Sequence, residues 1–275
     1  MNPTSSMIRT FEGRTVVLTG AASGIGRALA NLLSRCGATV HAFDMNAEGL
    51  AGLLKECAGP GVIHPRSVDV RDIGSYTAAV AEVMEISKSI DYLFNNAGVT
   101  LLGEAQNLPF DRWKWLLDIN LMGVVNGTHL VYPIMIAQGS GHIINTASIA
   151  GATGYATAAA YTASKAAILE FSRSLRSEAK AYGVKISVAC PGYVNSGIFA
   201  QDRIVGADRE AMIRDLPVKM MTPDEAARGF LLGVANRKNT IIFPFSAKFL
   251  WYLSRWAPSM TAPFHKRFLR VFQNP

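Results

Sequence analysis

A chain of 275 residues with 49% apolar and 17% charged positions can bury the core of one large α/β domain, and it is too apolar for disorder. The net charge is +7, yet eight basic residues and no acidic one follow Glu225, so the body is close to neutral and the basicity belongs to the tail. No basic face or binding motif marks the body, which argues against a nucleic-acid partner.

Residues 1–17 hold no apolar core of signal-peptide length, and nowhere do eighteen apolar residues run uninterrupted. A cytoplasmic protein without a spanning helix is therefore expected. Cys36, Cys57 and Cys190 show no CxxC spacing, and the five histidines are scattered, so neither a disulfide nor a metal site is expected.

In chain order, the β-branched run 15–18 reads as a first buried strand, followed by TGAASGIG at 19–26 and a helix-forming stretch. Gly20, Gly24 and Gly26 let the backbone approach a pyrophosphate, and the N–H groups at the start of the helix, from Ser23 through Ile25, favour its charge. The spacing differs from GxGxxG, and an ordinary loop remains open on these residues alone. Residues 39–43 give a second strand ending in Asp44, whose carboxylate can accept from ribose hydroxyls and repel a 2′-phosphate, which favours NAD over NADP. A helix cap is its alternative role.

Residues 62–68 form a third strand ending at Asp69 and Val70, and 73–89 carry helical apolar spacing. A fourth strand, 90–94, ends in NNAG at 95–98, where Asn95 and Gly98 can meet a flat cofactor or form a plain turn. The rhythm of strand and helix implies a parallel sheet.

Residues 142–147 read as a buried strand with Ser148 at its carboxyl end, where open α/β sheets bind ligands. Tyr161 and Lys165 follow, four apart in an alanine-rich helix and on one face. An ammonium there favours the phenolate: lowering a phenol from pH ~10 by about three units needs roughly 4 kcal/mol. Residues 163–182 continue that helix, 184–189 form a strand, and PGYVNS occupies 191–196.

These motifs, with Asn120 in the helix DRWKWLLDINLMGVVNGT, resemble the short-chain dehydrogenase/reductase family in order and spacing from about 14 to 243. The resemblance implies a Rossmann-like, doubly wound sheet of seven parallel strands and hydride transfer between NAD(H) and an alcohol or ketone carbon. It implies a catalytic set of Asn120, Ser148, Tyr161 and Lys165: Tyr161 exchanges the proton, Lys165 lowers its pKa and holds the nicotinamide ribose, Ser148 binds the substrate oxygen, and Asn120 positions a relay water. It further implies cofactor contacts from Gly20, Ser23, Gly24, Ile25, Gly26, Asp44, Asp69, Val70, Asn95, Gly98, Pro191, Gly192, Val194 and Ser196, the last standing where the family usually has threonine. A homodimer or homotetramer is implied as well. A catalytically silent NAD-binding regulator and a dehalogenase on the same scaffold are alternatives; the intact Ser, Tyr and Lys argue against the first, the glycine turn and lysine against the second.

Residues 196–221 should cover the substrate, and Phe199, Met212, Met220 and Met221 there point to an apolar alcohol or ketone, steroid-, retinoid- or lipid-like. Thr222, Pro223, Asp224 and Glu225 start a helix, and 240–243 give the last strand, closing a domain of residues 1–243. The extension 244–275 carries two basic amphipathic helices. The first groups Phe245, Phe249, Tyr252, Leu253 and Trp256; the second groups Phe264, Phe268, Val271 and Phe272, with Lys266, Arg267 and Arg270 opposite. Packing on the body or a second subunit, docking on an anionic membrane surface, and a lid over the substrate mouth all remain open for it.

Overall fold

The computed structural model describes residues 2–214, 216 and 219–273. Its strands are β1 (Thr15–Thr19), β2 (Thr39–Asp44), β3 (Ile63–Ser67), β4 (Tyr92–Asn95), β5 (Gly141–Thr146), β6 (Val184–Pro191) and β7 (Thr240–Phe243). They form one sheet in the order β3-β2-β1-β4-β5-β6-β7, with every neighbouring pair parallel. Helices must carry the chain back across such a sheet, and they cover both faces.

The helices are α1 (Ser5–Phe11), α2 (Gly24–Arg35), α3 (Ala47–Glu56), α4 (Ile73–Ser87), α5 (Phe110–Leu117), α6 (Gly123–Gln138), α7 (Ala150–Thr153), α8 (Ala159–Ala179), α9 (Arg209–Arg214), α10 (Pro223–Ala235), α11 (Phe245–Trp256) and α12 (Ala262–Gln273). Side-chain alternation along each strand divides the core between them. Val16 and Leu18 of β1 pack with Leu29 and Leu33 of α2 and Phe230 and Leu231 of α10. Val17 points the other way, into a cluster with Val80 of α4, Val131 of α6 and Leu175 of α8. Buried on both faces, the central strands read as unbroken apolar runs.

A π-helical turn, Asp118–Met122, joins α5 to α6 and holds Asn120. The helical run Phe110–Gln138 is long and apolar enough to cross a membrane by length and composition; here its second half packs on β4 and β5. Helix α10 begins with a full capping box, in which Thr222 and Glu225 satisfy each other's backbone N–H groups and Pro223 fills the first turn.

Strand order reverses between β1 and β4, and the crevice opens at the carboxyl ends of the strands there, as a parallel sheet with such a switch point requires. The tail departs from its sequence grouping. Helix α11 packs on the body through Ala247 and Trp251, which join Ile168, Val188 and Cys190, while Phe245, Phe249, Tyr252 and Trp256 face solvent. Of the face grouped from the sequence, Phe245, Phe249, Tyr252 and Trp256 are exposed and Leu253 is half-buried, whereas the side that packs on the body is the opposite one. Helix α12 seats Val271 and Phe272 against Leu102, Tyr155, Tyr161 and Met212. The side chains of Phe264, Arg267 and Phe268 lie outside the described residues.

Candidate active site

The dinucleotide end is made mostly of backbone. At Gly20 φ is +71°, and a methyl group there would come within 2.8 Å of the Ala97 Cα; one on Gly26 would overlap the Gly20 carbonyl oxygen. Ser23 caps α2 without a side-chain hydrogen bond, so the first N–H groups of that helix are left for a ligand. Gly20, Ser23, Gly24, Ile25 and Gly26 all line the crevice. A cradle with no room for side chains and with uncapped helix N–H groups fits a pyrophosphate.

Asp44 fastens this turn in place: its carboxylate accepts from the Ala22 N–H and the Asn46 N–H, both at 2.9 Å. Each oxygen keeps a lone pair for a ribose hydroxyl. The capping role goes to Asn46, whose side chain accepts from Gly49 N–H at 2.9 Å. Asp69 is clamped by Arg71, with Nε at 3.0 Å from both oxygens, and the guanidinium holds its carboxyl below the usual range. Val70 lines the wall and accepts from the Asn126 side-chain amide at 2.9 Å.

Two expected residues sit elsewhere. Asn95 turns into the sheet interior, donating to Asn145 Oδ1 at 2.9 Å and Thr128 Oγ1 at 3.2 Å, so it ties β4 to its neighbours and does not line the crevice. Asn96, Ala97 and Gly98 take that place. Asn120 is fully buried behind the wall, and its amide is bonded on both sides: Oδ1 accepts from Val99 N–H at 2.8 Å, while Nδ2 donates to Val99 O at 2.9 Å and Ser164 Oγ at 3.1 Å. Oδ1 keeps one further lone pair. Asn120 is a positioning residue that fastens residues 98–99 to α8.

Ser148, Tyr161 and Lys165 converge on the crevice. Ser148 follows β5, and its hydroxyl accepts from Ala150 N–H at 3.2 Å and lies close enough to the Tyr161 phenol to lower its pKa. Lys165 lies one turn below Tyr161 on α8; its ammonium is 5.7 Å from the ring centroid and donates to Thr146 O at 2.9 Å. Thr157, a β-branched residue at φ +62°, bends the chain just before α8, and its carbonyl accepts from Gly103 N–H at 2.7 Å.

The electrostatics correct the sequence expectation of a phenolate near neutrality. Burial pushes the Tyr161 phenol up to about 12, against the smaller lowering by the Ser148 bond, and burial pushes Lys165 down to about 8. Without ligands Tyr161 is thus a neutral acid, and Lys165 is still largely charged at neutral pH.

Beyond the phenol, Leu102, Tyr155, Ala158, Tyr193, Phe199 and Arg203 enclose the other end of a crevice of about 590 Å³. The Tyr155 and Tyr193 rings meet edge to face at 5.9 Å. Pro191, Gly192, Val194 and Ser196 form the wall between the two ends, held by Gly192 N–H to Phe243 O at 2.8 Å and by Asn195 N–H to Met221 O at 2.8 Å. Of the expected cover, Phe199 lines the crevice and Met212 packs behind it, whereas Met220 and Met221 do not reach it. Sequence reasoning missed Tyr155, Tyr193 and Arg203; Tyr193 lay within PGYVNS, and Tyr155 between Ser148 and Tyr161.

Comparison with known proteins agrees with this geometry. The family model for short chain dehydrogenase matches residues 14–204. The ketoacyl reductase HetN of Nostoc sp. is 34% identical over 236 residues, 85% of this chain and 79% of its own. The 3-oxoacyl-acyl-carrier-protein reductase FabG of Thermotoga maritima is 32% identical over 84% of this chain and 94% of its own. A short chain dehydrogenase/reductase from Burkholderia phymatum, solved in complex with NAD, superposes with a TM-score of 0.82 at 25% identity, covering 91% of this chain and 96% of that one. The chain belongs to the short-chain dehydrogenase/reductase family and is an NAD(P)-dependent oxidoreductase.

Proposed function

We propose that this chain interconverts an apolar ketone and its secondary alcohol with NAD(H), and that the unliganded site is set for reduction. The observation that carries this reading is the convergence of Ser148, Tyr161 and Lys165 on one crevice with Tyr155, Tyr193 and Phe199 in its wall. A reduced nicotinamide supplies the hydride when bound. Tyr161 gives its phenolic proton to the carbonyl oxygen as that oxygen gains charge, and Ser148 hydrogen-bonds the same oxygen. Lys165 stabilises the phenolate left behind and holds the nicotinamide ribose.

Asp44 supports NAD over NADP: a carboxylate already fixed by two backbone N–H groups would face the 2′-phosphate at close range. Ser148, Tyr161 and Lys165 remain the proposed catalytic groups. The glycine turn, Asp44, Asp69, Val70, Gly98 and the 191–196 wall remain the proposed cofactor contacts.

The test is a series of ketones of rising hydrophobicity with NADH and NADPH, read as loss of reduced-cofactor absorbance. Turnover with NADH that rises with apolar size is expected. Activity with NADPH alone would overturn the cofactor choice, and no turnover with either would favour a silent cofactor-binding protein.

The exposed face of α11 favours one partner. Phe245 and Trp256 are 81% and 85% exposed, Phe249 and Tyr252 lie between them, and Lys248, Arg255, Lys266 and Arg270 are exposed with no acid after Glu225. An apolar stripe on a helix whose only charges are Lys248 and Arg255 matches an anionic bilayer surface, which would hold a lipid-like ketone. Flotation with anionic vesicles, weakened severalfold in Phe245→Ser/Trp256→Ser, is the expected result. No flotation, together with a light-scattering mass that falls in the double variant, would assign the face to a second copy in a homodimer or homotetramer.

A further inference from the structure

We propose that Arg203 is an anion receptor of the crevice, taking a carboxylate or phosphate oxygen of a bound ligand; this rests on the functional reading above. Arg203 lines the crevice, and its Nε is buried without a hydrogen-bond partner. Among the described residues its guanidinium makes one hydrogen bond, Nη1 to Gly197 O, 3.5 Å long and at the limit for such a bond. Among the described residues no carboxylate pairs with it.

Its neighbours show that this is particular to Arg203. Arg112 donates to Asp202 O at 2.8 Å and Arg209 to Phe199 O at 2.7 Å, so the other arginines around this loop have close acceptors. Lys165, the further cation in the crevice, is held by Thr146 O. The backbone of Arg203 is fixed at both sides, by Arg203 N–H to Ala200 O at 3.0 Å and by Leu102 N–H to Arg203 O at 2.9 Å. A planar fork of donors on a fixed stem, whose Nη groups hold only the long bond to Gly197 O, suits an oxyanion.

The oxyanion has two sources within reach. Leu102, Tyr155, Ala158 and Phe199 around Arg203 are apolar, which suits an apolar ketone ending in a carboxylate or phosphate. Gly197 adjoins Ser196, which packs against Gly24 of the glycine turn, so a dinucleotide pyrophosphate is the second source.

Binding separates them without relying on turnover. Wild type, Arg203→Gln and Arg203→Lys are titrated with NADH by protein fluorescence, and then, with NADH present, with 5-oxodecanoate and its methyl ester. A tenfold or greater loss in Arg203→Gln of the preference for the acid over the ester, partly restored in Arg203→Lys, assigns the substrate oxyanion. A comparable loss of NADH affinity assigns the pyrophosphate. Both quantities within twofold of wild type would overturn the proposal, whereas wild type that binds NADH but reduces no ketone would overturn the functional reading and leave the NADH arm to decide on Arg203.

Discussion

The two ends of the crevice are built from different materials. At the dinucleotide end the wall is backbone, from the Gly20–Gly26 turn, the open start of α2 and Gly98, with two carboxylates fixed by N–H groups or by Arg71. At the substrate end the wall is side chain, with Tyr155, Tyr193, Phe199 and Arg203 in front and Met212 and Phe272 behind. A backbone wall binds what every nucleotide shares and tolerates almost no substitution; a side-chain wall is where specificity is set.

Substitutions at the two ends should therefore fail differently. Tyr161→Phe removes the proton donor and should cut turnover by about 10³-fold while NADH binding, measured by fluorescence, weakens only slightly. Turnover within tenfold of wild type would mean the proton arrives by another route. Gly26→Ala should do the reverse, since the new methyl meets the Gly20 carbonyl: NADH affinity should fall by about tenfold or more by the same titration. Retained affinity would show that the turn is not the phosphate cradle.

Phe272→Ala probes the outer wall and should have the smallest effect on chemistry. It should cost about 3 kcal/mol of stability, the low end for a buried phenylalanine, in urea unfolding. It should also raise the relative rate for bulkier ketones severalfold. No change in either would place α12 away from the crevice in solution.

The same contrast explains what the sequence could tell. All seven strands were legible because the central ones are apolar on both faces, and α10 was legible from its capping box. The glycine turn, Asp44 and the Ser148, Tyr161, Lys165 set were legible because each sits at a strand end or one helical turn apart. Asn95 was misplaced because residues at a strand end alternate between crevice and core, and composition does not say which comes first. The spacing of Asn120 does not reveal its structural part, the bonds by which its amide ties Val99 to Ser164 of α8. Arg203 could not be found, since it reaches the crevice only by tertiary packing of a loop, and for Phe272 the apolar face was legible but not what it packs against. A cation at i+4 of the phenol is visible in sequence, whereas the desolvation that pushes its pKa up is not.

That acidity is the central physical claim, and the pH dependence of kcat/KM for ketone reduction at saturating NADH tests it most directly. Lys165 is depressed to about 8 and must be protonated to stabilise the phenolate, so rate is lost as pH rises through that value; the phenol, at about 12, would lose its proton only later. The profile should be level between pH about 6 and about 7 and half lost at or above the lysine value, since the bound dinucleotide's negative charge favours the ammonium. Half-loss at or below pH about 6.5 that disappears in the residual rate of Tyr161→Phe would show that the phenol titrates near neutrality, and would contradict it.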